Sequence, residues 1–120
     1  MLNFSTLSDG GSADVPITQV AVVGYGYWGQ IISKNLAPLG CLNIRYVCDG
    51  VEQNRRTAER HFPNTSAISD LAEALDDDEL DLVIIATPTS SHFKLATQVL
   101  EAKKHVFVEK PFVETIPQAL

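Results

Sequence analysis

The chain has 120 residues, 45% of them hydrophobic and 20% charged, and a formal net charge of −6. That length buries one core and is short for a two-domain enzyme, while the composition excludes wholesale disorder. The nine basic residues are scattered, so no basic stripe exists to displace counterions from a nucleic acid, and no segment reaches the roughly twenty apolar residues that span a bilayer.

Residues 1–16 read as a flexible tail, with Ser, Gly and Asp dominating Ser8–Asp14. The leader Met1–Val15 lacks both a basic and an apolar region, so it does not read as a secretory signal. Thr18–Val23 is the first predicted strand, apolar almost throughout as a strand covered on both faces should be. Gly24-Tyr25-Gly26-Tyr27-Trp28-Gly29 follows it as G-x-G-x-x-G and opens a helix, Tyr27–Leu39, with Trp28, Ile32, Leu36 and Leu39 on one side and Gly40 as its stop. This strand–turn–helix lets glycine backbone approach a pyrophosphate, which the free N–H groups of the helix start then hold. The bland alternative, a tight turn with close helix–strand packing and no ligand, is weakened by what comes next.

Leu42–Asp49 is the second strand, and Asp49 follows Gly29 by twenty residues. That is the spacing of a carboxylate that accepts hydrogen bonds from an adenosine ribose. Asp49 could also cap the next segment, and the two roles can coexist. A carboxylate there repels the 2′-phosphate of NADP, which favours NAD, although Arg55 and Arg56 could blunt that repulsion. Of the two cysteines, Cys41 and Cys48, the second lies inside this apolar run, and a buried thiol in a reducing cytoplasm is expected.

Glu52–His61 is a polar helix ended by Phe62-Pro63, and Thr65–Ile68 a short third strand. Ser69 or Asp70 caps a brief helix through Leu75, with Leu71, Ala74 and Leu75 facing inward. The run Asp76-Asp77-Asp78-Glu79 reads as a solvated loop, since contiguous acids lack the alternating spacing of a calcium loop. No metal site is expected, and His61 and His105 receive no role. Asp81–Ala86 is the fourth strand, followed by Ala86-Thr87-Pro88-Thr89-Ser90-Ser91-His92 on the edge where open α/β sheets place ligands. Equally, Thr89 or Ser90 could cap the helix Ser90–Ala102, whose inner face carries Phe93, Ala96, Val99 and Leu100. Lys103 and Lys104 stand at its negative end. His105–Val108 is the fifth strand and leads to Glu109-Lys110-Pro111, where Lys110 taken alone would be a solvated surface residue. Thr115-Ile116-Pro117 resembles the first turn of another helix, so the chain reads as the front portion of something longer. Alternation of strands and helices predicts a doubly wound α/β fold, a parallel sheet of five strands in order 3-2-1-4-5.

The combination GYGYWG, Asp49, ATPTSSH and VEKP, in this order, resembles the N-terminal domain of the Gfo/Idh/MocA oxidoreductases over Ile17 to Leu120. The resemblance implies that Gly24, Gly26 and the Tyr27-Trp28 backbone hold the pyrophosphate of NAD, less favourably NADP, with Tyr25 and Gly29 in the same cofactor-binding loop and Asp49 on the adenosine ribose. It places Thr87, Pro88 and His92 along the nicotinamide half, Glu109 on the nicotinamide ribose, and Lys110 as the catalytic lysine that assists proton transfer. A cis Lys110–Pro111 bond is expected to aim that lysine inward. Family members continue into a sixth strand and then a second α/β domain that supplies most of the substrate pocket, so this chain alone is expected to bind nucleotide weakly and to be inactive on its sugar, sugar-nucleotide or polyol substrate. An exposed fifth strand predicts self-association. A standalone, non-catalytic dinucleotide-binding module is the alternative; a methyltransferase ranks below it, having no use for Lys110.

Overall fold

Residues 16–108 are described by a computed structural model. Thr18–Val23 forms β1, and its residues alternate between two separate cores. Val20 and Val22 point to one face of the sheet, Ala21 and Val23 to the other, and all four are buried. Parallel partners lie on both sides of it. The strands β2 (Leu42–Cys48), β3 (Ser66–Ile68), β4 (Leu82–Ile85) and β5 (His105–Val108) complete a parallel sheet in order β3-β2-β1-β4-β5. The doubly wound order expected from the alternation of elements is therefore the one found.

Two helices, α1 (Tyr27–Leu36) and α2 (Glu52–His61), pack over Val20, Val22, Ile44 and Val47. On the opposite face, α3 (Leu71–Leu75) and α4 (His92–Glu101) cover Ala21, Val23, Val83 and Ile85. Asp70, rather than Ser69, caps α3 by accepting from the Ala72 amide at 3.0 Å. No helix among the described residues is long and apolar enough to cross a membrane.

Several expectations are corrected by tertiary contact. The first helix ends at Leu36, not Leu39, because Pro38 offers no N–H and its ring would meet the carbonyl one turn earlier. Ile32 and Leu36 pack against the core as expected, but the buried positions of the helix are Gly29 and Ser33, whereas Trp28 is 64% exposed. A β-carbon on Gly29 would lie 1.8 Å from the Gly24 carbonyl oxygen, so α1 approaches too closely for a large residue there. In α4 Ala96 and Val99 lie inside as expected and His92 joins them, while Phe93 and Leu100 are exposed. Lys103 closes α4 with φ +62°, the left-handed position usually taken by glycine, and the Lys104 amide then reaches back to the Val99 carbonyl at 3.2 Å.

Asp77 is a further correction, because, unlike the exposed Asp76 and Asp78, it is not simply solvated. The register of β1 against β2 skips Arg45, since Val20 pairs with Ile44 and Ala21 with Tyr46. The bulged Arg45 turns its guanidinium onto the Asp77 carboxylate, which also accepts from the Tyr46 hydroxyl at 2.7 Å. Lys104 donates its ammonium to the Asp77 carbonyl at 2.8 Å rather than to the end of α4.

Candidate functional site

The site is built where β1, β2 and β4 end side by side. Gly24 follows β1 with φ +97°, and its amide donates to the Cys48 carbonyl at 2.8 Å. A β-carbon at Gly24 would stand 3.0 Å from the backbone of Ala86, so the loop is wedged between the ends of β2 and β4. Gly26 is the opposite case: nothing lies within 4 Å of where its β-carbon would be, and the position opens onto a cleft. Gly26 is also the N-cap of α1 and offers no side-chain acceptor to the helix's first N–H groups. Those groups are therefore left for an anion to satisfy.

The cleft, about 760 Å³, runs along the carboxyl ends of the strands. Of the residues singled out in the sequence, Gly24, Gly26, Tyr27, Trp28, Asp49, Thr87 and Pro88 line it together. Tyr27 and Trp28 form an exposed edge-to-face pair at its mouth, ring centroids 5.5 Å apart. Gly29 lies behind the wall, beneath Gly24. Glu109 and Lys110, with the bond to Pro111, fall outside the described residues.

Tyr25 divides its roles. Its side chain is fully buried away from the cleft, with the hydroxyl 2.7 Å from His61 Nδ1 and the ring edge-on to Phe62. Burial pushes the phenol above its ordinary pKa, so it stays protonated. The Tyr25 amide faces the other way and donates to Asp49 Oδ2 at 2.8 Å. His61, given no role from the sequence, is thus the partner of the loop's buried anchor. Nothing in local spacing signals that, because the two residues meet only when α2 folds over β1.

Asp49 carries most of the polar geometry. Its Oδ2 accepts from Tyr25 N and from Asn54 Nδ2 at 3.0 Å, and its Oδ1 accepts from the Val51 amide at 2.8 Å. Arg55 Nη1 donates to the Asp49 carbonyl at 2.9 Å. The carboxylate thus joins the glycine loop to the start of α2 while remaining on the cleft wall. Beside it, burial first and then the Asp49 charge push the Cys48 thiol up to about 11, which keeps it a neutral, unreactive wall residue.

On the far side, His92 is buried and its Nε2 lies 2.7 Å from the Thr87 carbonyl, so the ring supports the Thr87–Pro88 turn from behind and is not on the cleft wall. Neither Thr89 nor Ser90 caps a helix. Thr89–Ser91 is instead a short 3₁₀ turn ahead of α4, with Ser91 Oγ 2.7 Å from Thr87 Oγ1 and 2.8 Å from the Pro88 carbonyl. Among the described residues no group of three or more His, Cys, Asp or Glu side chains could hold a metal ion. An open glycine, an unfilled helix start and a carboxylate on one wall are the features that fit a dinucleotide.

Comparison with known proteins agrees with this geometry. The family model described as an oxidoreductase family, NAD-binding Rossmann fold, matches residues 18–120. The oxidoreductase YdgJ of Escherichia coli is 33% identical over 101 residues, which are 84% of this chain and 29% of that protein. The scyllo-inositol 2-dehydrogenase (NADP(+)) IolW of Bacillus subtilis is 29% identical over 105 residues, 88% of this chain and 29% of its own length. Among solved structures, GenD2 from gentamicin A biosynthesis, in complex with NAD, superimposes with a TM-score of 0.83 at 35% identity, over 91% of this chain and 31% of GenD2. The chain thus spans less than a third of the length of these relatives.

Proposed function

The chain belongs to the Gfo/Idh/MocA oxidoreductase family as an NAD-binding Rossmann domain, and from that premise we propose that it serves an enzyme moving hydride between a sugar or polyol hydroxyl and NAD. The observation that carries this reading is the Asp49 carboxylate, held on the cleft wall by Tyr25 N and Val51 N beside the open Gly26. When bound, the nicotinamide supplies a hydride acceptor. The residues of this chain bind and orient it: the amides at the start of α1 meet the pyrophosphate, Asp49 accepts from the adenosine ribose, and the Thr87–Pro88 turn, backed by His92, shapes the nicotinamide side.

Lys110 is proposed as the catalytic lysine that takes up the substrate hydroxyl proton, with Glu109 on the nicotinamide ribose; both assignments rest on the match of the VEKP segment to the family. A sugar or polyol substrate is supported by the inositol dehydrogenases among the relatives. The substrate pocket is assigned to a second domain, because the matched stretch is under a third of each relative. Residues 1–120 alone are accordingly proposed to be inactive. NAD is preferred over NADP because Asp49 opposes a 2′-phosphate.

Self-association belongs to the same proposal. Among the described residues β5 pairs only with β4, and Phe107 on it is 50% exposed. Sedimentation of a clean monomer at high micromolar concentration, with freely exchanging amides along β5, counts against it. A reduced, cytoplasmic setting is supported by the free thiols of Cys41 and Cys48. The functional reading itself is tested by calorimetric titration with NAD and S-adenosylmethionine: binding of NAD and not of the methyl donor is expected, and the reverse order rejects the oxidoreductase.

A further inference from the structure

We propose that Asn54 is a second ribose-reading residue, sharing the adenosine diol with Asp49; the inference rests on the placement of the adenosine ribose at Asp49. A carboxylate offers about four lone-pair positions. Three of those on Asp49 are already filled by protein donors, two on Oδ2 (Tyr25 N and Asn54 Nδ2) and one on Oδ1 (Val51 N). Room for one hydroxyl remains, on Oδ1, yet a ribose presents two vicinal hydroxyls. The second needs another acceptor.

Asn54 provides one. Its amide orientation is fixed chemically, because an ionised carboxylate only accepts, so the group 3.0 Å from Asp49 Oδ2 must be the NH₂. The amide oxygen therefore turns away from Asp49, and among the described residues it has no hydrogen-bond partner. Asn54 is half-buried on the first turn of α2 and lines the same cleft as Asp49 and Gly50. One side chain thus braces the carboxylate with its nitrogen and leaves an oxygen for the neighbouring hydroxyl.

The test is calorimetric titration of the chain, and of Asn54→Ala and the nearly isosteric Asn54→Leu, with NAD and with its 2′-deoxy and 3′-deoxy adenosine-ribose analogues. Thermal melts confirm folding of each variant. The unmodified chain should bind both analogues more weakly than NAD. Each variant should lose roughly three- to tenfold in NAD affinity and cease to distinguish NAD from one analogue while still distinguishing it from the other. Variants that weaken NAD and both analogues equally, or that bind NAD like the unmodified chain, overturn the role of Asn54 and leave Asp49 as sole reader. Failure of the unmodified chain to distinguish NAD from either analogue overturns the placement of the ribose at Asp49, and the inference with it.

Discussion

The Tyr25 amide donates to Asp49 Oδ2 at 2.8 Å, so the loop after β1 and the carboxylate after β2 are one unit, not two neighbouring motifs. The loop is fixed from both ends of Tyr25: the amide by Asp49, the phenol by His61 at 2.7 Å. A carboxylate held this way is positioned before any ligand arrives, which reduces the ordering that binding must impose.

Gly29→Ala should abolish nucleotide binding and destabilise the fold by about 2–4 kcal/mol. The new β-carbon would fall 1.8 Å from the Gly24 carbonyl oxygen and 2.7 Å from its carbon, so α1 would have to back away from β1. Gly26→Ala faces open space and should fold normally while weakening NAD binding, because the methyl occupies ligand space. Denaturant melts and NAD titration of the two variants separate packing from binding.

Much of this site is legible in the sequence, because strand, glycine loop, helix and acid are local patterns with characteristic spacing. The inner faces of the helices are legible only in part, as far as Ile32, Leu36, Ala96 and Val99. A 3.6-residue period says which residues share a side, but the close approach permitted by Gly29 selects Ser33 and pushes Trp28 out. In α4 Ala96 and Val99 keep their expected inner places, but Phe93 and Leu100 stay exposed and His92 is buried instead. Asn54 and His61 were illegible as site residues for a different reason: their partners, Asp49 and Tyr25, are brought to them by the winding of α2. Asp77 looks like any member of an acid run until the bulge at Arg45 aims a guanidinium at it.

Lys103→Gly should stabilise the protein by roughly 0.5–1 kcal/mol. The native residue closes α4 at φ +62°, where a β-carbon is unfavourable, and glycine removes that strain. A rise in the thermal midpoint checks this; a fall would show that the lysine stem makes a compensating contact.

The Asp77 cluster should make stability depend on pH at the acid end. Hydrogen bonds from Tyr46 and Arg45 hold the folded carboxyl at about 2, below its ordinary value of 3.8. A lowered folded pKa stabilises the native state above the unfolded value, and the gain is lost as pH falls from about 4 toward 2. Exposure of the Arg45 side chain, 34%, screens the pair and keeps the effect modest. Asp77→Asn should therefore be less stable than the unmodified chain at neutral pH and converge with it near pH 2 in acid-unfolding curves. Parallel curves down to that pH would remove Asp77 as the source.

Asp49, braced by the Tyr25 amide, is proposed to read the adenosine ribose of NAD from the cleft wall. Calorimetric titration with NAD and NADP at one ionic strength tests it, using the unmodified chain and Asp49→Ser. NAD should bind more tightly to the unmodified chain, and the substitution should narrow the gap by about tenfold, the effect of removing roughly 1.4 kcal/mol of charge repulsion. Equal affinities for NAD and NADP in the unmodified chain would contradict the account.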